Sequence, residues 1–250
     1  TDKQMNKINE VTTFPVPFAL GEIKENITIT SNTPSKPSKE QIINQAFKFH
    51  SEGNIKEAVK SYQDFVNKGF IDYRVFSNYG SILKDLGKLK EAELATRKAI
   101  KIKPDYANAH SNLGIIFKDL GNLKEAELAT RKAIELKPDF VIAHCNLGSI
   151  LNDLGKLQDA ELSYRRAIKL KPDFAEAHCN LGSIFKVLGK SQEAELSTRK
   201  AIELKPDYAE AHYSLGSILN DLGKLEEAEL STRKAIELKP DYAEAYCNLG

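Results

Sequence analysis

The chain of 250 residues has no surplus of either charge. Lys and Arg number 36 and Asp and Glu 35, leaving a formal net charge of +1 at pH 7. Such a balance supplies no pull toward nucleic acid or an anionic membrane, whose recognition needs a basic surplus or stripe. No apolar run reaches the roughly 18 residues that a spanning helix needs. The opening T-D-K-Q-M-N-K-I-N-E lacks the apolar stretch of a secretory signal. Cysteines number three, without a C-x-x-C spacing, which points to reduced thiols and a cytoplasmic location. Also missing are G-x-G-x-x-G, G-x-x-x-x-G-K and H-E-x-x-H, so no catalytic residue, cofactor or metal is expected and the chain reads as a non-enzyme. With 41% hydrophobic and 28% charged residues, it nonetheless has the make-up of a folded protein.

What is present is repetition. The stretch H-C-N-L-G-S occurs at 144–149 and again at 178–183, 34 residues on. A His beside a Cys invites a chemical reading, but a fixed period has to be followed first. The proline of K-P-D recurs at Pro104, Pro138, Pro172, Pro206 and Pro240 with the same interval. Gly80, Gly114, Gly148, Gly182 and Gly216 form a second series, and Gly53, Gly87, Gly121, Gly155, Gly189 and Gly223 a third. Alanines at 58, 92, 126, 160, 194 and 228, and at 99, 133, 167, 201 and 235, form two more.

In residues 209–242, Ala211, Leu215, Ile218, Leu219 and Leu222 have helical spacing. Gly223 ends that helix by accepting a left-handed backbone. Leu225, Ala228, Ala235, Ile236 and Leu238 form a second helix, stopped at Pro240. Asp241 with Glu244 then predicts an N-cap and capping box, as do Asp173 with Glu176 and Asp207 with Glu210. Each unit is expected to be helix, turn, helix, turn.

This pattern resembles the tetratricopeptide repeat (TPR). In that family small residues occupy the eighth, twentieth and twenty-seventh positions and proline the thirty-second, filled here by Gly216, Ala228, Ala235 and Pro240. The resemblance implies an all-α fold, a right-handed α-solenoid of stacked TPR units over residues 39–250. Its units are a degenerate 39–72, then 73–106, 107–140, 141–174, 175–208 and 209–242, and a partial 243–250. Residues 1–38 are expected to form an extended or disordered segment and linker. Within it, Phe14–Ile29 either remains a tail or docks as an extended peptide on a neighbouring chain or domain. His and Cys of H-C-N-L-G-S become the fourth and fifth positions of a unit. Their neighbours on one helix point apart, and the histidines are expected to pack between helices.

In the family the first helix of each unit lines a concave face, at about the second, fifth, sixth, ninth, twelfth and thirteenth positions. The sixth is Asn44, Asn78, Asn112, Asn146 and Asn180, then Ser214, then Asn248. Asparagine is a poor interior helix residue, yet its amide both donates and accepts. The row resembles the asparagine ladder of the O-GlcNAc transferase superhelix, which implies a grip on the backbone of an extended peptide. The other reading is an amide that bonds only the neighbouring repeat. The thirteenth position (Asp85, Asp119, Asp153, Asp221, with Val187) and the twelfth (Lys84, Lys118) either select among bound peptides or solvate the turn. The i, i+4 pairs from Glu93–Arg97 through Glu229–Arg233 read as a solvated face.

The function expected is therefore a protein-interaction scaffold with an extended peptide or protein segment as partner. The alternative is the N-terminal recognition arm of a larger glycosyl-, sulfo- or methyltransferase, on fold-level analogy. Self-association through the exposed C-terminal half-repeat is a third expectation.

Overall fold

The computed structural model describes residues 37–247. Asn248 and the segment Phe14–Ile29 lie outside them. The described residues form thirteen helices, joined by short turns. They pair as α1 (Lys39–Ser51) with α2 (Ile55–Asn67), α3 (Tyr73–Asp85) with α4 (Leu89–Ile102), and α5 (Ala107–Asp119) with α6 (Leu123–Leu136). The series continues with α7 (Val141–Asp153) and α8 (Leu157–Leu170), α9 (Ala175–Val187) and α10 (Ser191–Leu204), α11 (Ala209–Asp221) and α12 (Leu225–Leu238), and the short α13 (Ala243–Cys247). First helices of successive units also touch one another from α3 through α11, whereas the second helices pack only on first helices to any comparable extent. Crowding on one side and splay on the other curve the stack, with the first helices on its concave face.

The turn inside each unit is set by glycine. Gly87, Gly121, Gly155, Gly189 and Gly223 have φ of 72° to 79°, the left-handed conformation that closes a helix C-terminus. The glycine of the first helix acts differently. A Cβ on Gly114 would lie 2.1 Å from Thr130 Oγ1 and 3.2 Å from the Ala126 carbonyl, and one on Gly148 2.8 Å from the Tyr164 ring. The two helices of a unit therefore cross at a distance only glycine permits. Ala92, Ala126, Ala160, Ala99, Ala133 and Ala167 are fully buried around these crossings. The first unit carries Ala46 and Tyr62 instead, and closes with an aromatic cluster. Tyr62 lies against Tyr79 at 5.7 Å between centroids, and Phe65 against Phe70 at 5.5 Å.

The expected Asp capping boxes do not form. Phe174 and Tyr208 are the N-caps of α9 and α11, and neither Asp173 nor Asp207 caps by its side chain. K-P-D-aromatic is instead a turn: the N–H of Tyr208 donates to the Lys205 carbonyl at 3.2 Å, and Asp lies inside it. Proline presets the turn's φ, and the lysine ammonium lies over the aromatic ring, 4.8 Å from its centroid at Lys205–Tyr208. Glu176 and Glu210 pair with Lys205 and Lys239 instead. Among the described residues a capping box forms on α1, where the Gln41 N–H donates to Ser38 Oγ and the Ser38 N–H to Gln41 Oε1. Its S-x-x-Q signature stands in the sequence at 38–41.

The Glu–Arg pairs form, with Glu229–Arg233 solvated as expected but the carboxylates of the middle units largely buried. The side chains of Glu127, Glu161 and Glu195 are 14%, 9% and 13% exposed. Each receives its own Arg and a lysine from the N-terminal end of the next unit's second helix: Lys156 at 2.7 Å, Lys190 at 3.1 Å and Lys224 at 2.8 Å. The chain at this spacing puts Asn122 opposite Glu93, so that carboxylate has Arg97 alone. Lysine hydrogen bonds hold the Glu127 and Glu195 carboxyls below their usual range.

Ala in a helix interior is ordinarily favoured over Gly by about 1 kcal/mol, but Gly114→Ala should destabilise by about 1–3 kcal/mol through overpacking, with Thr130→Ala partly restoring it. Urea unfolding of the single and double variants measures both. The inter-unit carboxylates add a pH dependence. Depressed carboxylate pKa values stabilise above the unfolded value near 4.5 and lose that contribution as pH falls through the folded value. Glu127→Gln with Glu195→Gln should therefore cost about 1–2 kcal/mol each at pH 7 and flatten the fall in stability as pH drops below about 4.5. Asn122→Lys should add about 0.5 kcal/mol.

Candidate functional site

The concave face is built from first helices, and the asparagine row lies along it. Asn78, Asn112, Asn146 and Asn180 are half-buried, and Asn44 is exposed. Each amide of the middle units reaches back one unit. Asn112 Nδ2 donates to Ser77 Oγ at 3.2 Å, and Asn146 Nδ2 to Ser111 Oγ at 3.1 Å. Asn180 Nδ2 lies 3.7 Å from Cys145 Sγ. Ser214, where the asparagine is missing, accepts from Cys179 Sγ at 4.0 Å. The Tyr62 hydroxyl, whose pKa burial pushes up to about 12, lies 3.2 Å from His50 Nδ1. Neighbour bonding, one of the two sequence readings, is thus present.

That contact uses one N–H of each amide. By inventory an amide has a second N–H and an oxygen with two lone pairs; Asn112 Nδ2 also lies 3.4 Å from the Ser77 carbonyl, and among the described residues no further hydrogen bond engages the Asn146 or Asn180 amide or the Asn112 amide oxygen. The same contact corrects the expectation for the fifth position. Ser77, Ser111, Cys145 and Cys179 are 1%, 2%, 8% and 4% exposed, because the next unit's sixth residue covers each. They support the row rather than line the groove.

The twelfth and thirteenth positions also pair across units. Lys118 meets Asp153 at 3.3 Å and Lys186 meets Asp221 at 3.4 Å, while Lys84 meets its neighbour Asp85 at 2.7 Å. Asp119 and the apolar Val187 are exposed. Lys84, Asn112 and Asn146 are brought together with Ser81 and Ile115 around a polar pocket of about 250 Å³. The pocket offers an ammonium, two amides and a hydroxyl, a set that suits an oxygen acceptor.

The histidines hold a turn. Nε2 of His110, His144, His178 and His212 lies 2.8–3.0 Å from the carbonyls of Pro104, Pro138, Pro172 and Pro206. Only a donor suits a carbonyl, so these rings carry their proton on Nε2. Tyr246 donates to the Pro240 carbonyl in the same way. Phe76 has no such donor, and Phe70 replaces the proline before it. Burial pushes the Cys145 and Cys179 thiols up to about 11, away from nucleophilic character. Among the described residues no cluster of three potential metal ligands occurs, and no helix is long and apolar enough to cross a membrane. The sequence reading leaves the asparagine's partner unnamed and misses the Lys–Glu ties between units, although residues 35 apart at Asn–Ser and 29 apart at Lys–Glu carry the signal.

None of the curated proteins matches the chain. Among solved structures, it is similar to PilW, a type IV pilus biogenesis factor, at 20% identity and a TM-score of 0.75, over 85% of this chain and 98% of that one. MamA is 27% identical with a TM-score of 0.56, over 66% and 96%. YrrB, a TPR protein with an unusual peptide-binding site, is 23% identical with a TM-score of 0.54, over 76% and 98%. Models of the TPR repeat match residues 80–121, 148–189 and 216–250, and models of the tetratricopeptide repeat match 107–140, 175–208 and 198–229. The architecture is that of a protein-interaction scaffold, and the chain belongs to the tetratricopeptide repeat family.

Proposed function

We propose that the concave face binds an extended peptide segment, gripped along its main chain by the asparagine row. The observation that supports this is the tie from each asparagine to the preceding unit, Asn146 to Ser111 above all. A donor fixed in this way fixes the amide plane, so its remaining oxygen and N–H are set before a ligand arrives, and little side-chain entropy is lost on binding. Adjacent units lie about 10 Å apart by ordinary helix packing, which matches three residues of extended chain at about 3.3 Å each. One amide would then meet every third peptide unit. Main-chain contacts of this kind are indifferent to sequence. Selectivity falls to the pocket at Lys84, Asn112 and Asn146, which suits a side chain bearing an oxygen acceptor. YrrB, with its unusual peptide-binding site, is a precedent for peptide binding on a solenoid of this kind.

The test uses a peptide of about a dozen residues, enough to span four units at three residues each, selected from a random library on the 250-residue chain. Replacing Asn112, Asn146 and Asn180 by Ala should remove about 1 kcal/mol of binding per lost hydrogen bond, about a hundredfold in Kd for the triple variant. Calorimetry measures the affinity, and thermal unfolding confirms that the variant is folded. An unchanged Kd would remove the asparagine row from the binding site.

A further inference from the structure

The opposite face carries a feature that the stacking of units does not use. In each second helix the residues that face the core are 20, 24 and 27 in the unit, such as Ala126, Thr130 and Ala133, all buried. Residue 22 lies about 200° round the helix from residue 20 and has no place in that core. Yet it is leucine five times running. Leu94, Leu128, Leu162, Leu196 and Leu230 are 70%, 70%, 63%, 71% and 69% exposed. Isolated exposed leucines are ordinary, but a contiguous apolar row marks an interaction surface.

The row is flanked by charge of opposite sign on its two sides. Three residues before each leucine stands an exposed acid: Glu91, Glu125, Asp159, Glu193 and Glu227. Four residues after it stands a base: Lys98, Lys132, Arg166, Lys200 and Lys234. Offsets of three and four on a helix share one face. The convex face thus presents three parallel rows running from unit to unit: a predominantly acidic one that Lys90 and Lys124 interrupt, an apolar one, and a basic one in which Lys132, Lys200 and Lys234 also pair with Glu135, Glu203 and Glu237 of their own helices. Apolar grooves open beside the leucines, one of about 550 Å³ at Leu128 with Ile100 and Leu113, and one of about 520 Å³ at Leu230 with Ile202 and Leu215.

We propose that this face pairs with the same face of a second copy of the chain. The charge order decides the arrangement. A two-fold axis across the rows would set acid on acid and base on base. An axis along the leucine row sets the acidic row of each copy on the basic row of the other, with leucine against leucine and the side chains leaning into the adjoining grooves. Only this isologous pairing is complementary in charge and apolar at its centre. The rows span about 10 Å along each second helix and units are spaced about 10 Å apart. Five units therefore bury about 500 Å² per copy, below the roughly 800 Å² of a standard interface, and a weak dimer with Kd in the micromolar range is expected. The concave groove remains open in it.

Sedimentation velocity of the 250-residue chain from about 1 to 200 μM in about 50 mM salt reads the association. A monomer–dimer equilibrium is expected, shifting to monomer at about 500 mM salt. Leu128→Asp with Leu162→Asp and Leu196→Asp should abolish it, with circular dichroism unchanged because all three are exposed. A second pair of variants tests the charge pairing. Reversing the acids (Glu125→Lys, Asp159→Lys, Glu193→Lys) or the bases (Lys132→Glu, Arg166→Glu, Lys200→Glu) should each give a monomer, and mixing the two should restore a dimer. A chain still monomeric at about 200 μM, well above a micromolar Kd, overturns the proposal. So does a dimer that survives the leucine changes, which would place the contact elsewhere, or a mixture that stays monomeric.

Discussion

Everything in this solenoid depends on how closely the two helices of a unit can cross. At Gly114 there is room for a hydrogen atom and no more, with Thr130 Oγ1 and the Ala126 carbonyl filling the space a side chain would take. Such an approach brings backbone against backbone and fixes the crossing rigidly, as close-packed interiors do. The alanines on the second helix are small for the same reason. Because the crossing repeats with little change in five units, successive pairs stack with little variation. A residue chosen at one position of the unit then becomes a row along the molecule, and surface chemistry on this fold is a matter of rows.

Apolar contacts alone would leave the angle between units soft. The polar ties are directional and supply what the apolar ones lack. One set links first helices, from sixth-position asparagine to fifth-position hydroxyl. A second links second helices, through carboxylates each held by an Arg and a Lys. A third pins four inter-unit turns through a histidine on the proline carbonyl. Between them they engage the inner layer, the outer layer and the connection. A carboxylate as buried as Glu161 would be costly alone, and two cations with good geometry are what make its burial tolerable.

The helices and their order were legible because they rest on local chemistry: glycine with positive φ, proline at a turn, apolar residues at helical spacing. The misread element was also local. Asp207 followed by Glu210 satisfies a capping pattern, but Pro206 commits the preceding residues to a turn, and the helix begins only after Tyr208. What the sequence concealed was which residues meet between units. A reading in columns of 34 aligns like with like, whereas the contacts join residues 35 and 29 apart. Ser111 therefore looked exposed when Asn146 covers it, and Glu127 looked solvated when Lys156 closes over it. A repeat makes its own core conspicuous and its interfaces inconspicuous, since each interface joins two different columns.

Near-identical units raise a problem of selectivity, for a uniform groove grips any extended chain alike. Discrimination has to come from the departures, and on the concave face these are few. Ser214 replaces asparagine in the sixth position and Val187 replaces aspartate in the thirteenth, in neighbouring units. Val187 is 64% exposed and stands where the other units place a carboxylate. At the other end Lys84 opens the pocket shared with Asn112 and Asn146. In the proposed mode of binding the central asparagines supply affinity without preference. The two ends then differ in kind: an acceptor-seeking pocket at Lys84 and an apolar position with a weakened main-chain contact around Val187 and Ser214. A segment bound between them has its direction set as well as its composition, because reversing it would place the acceptor on valine and the apolar side chain on lysine.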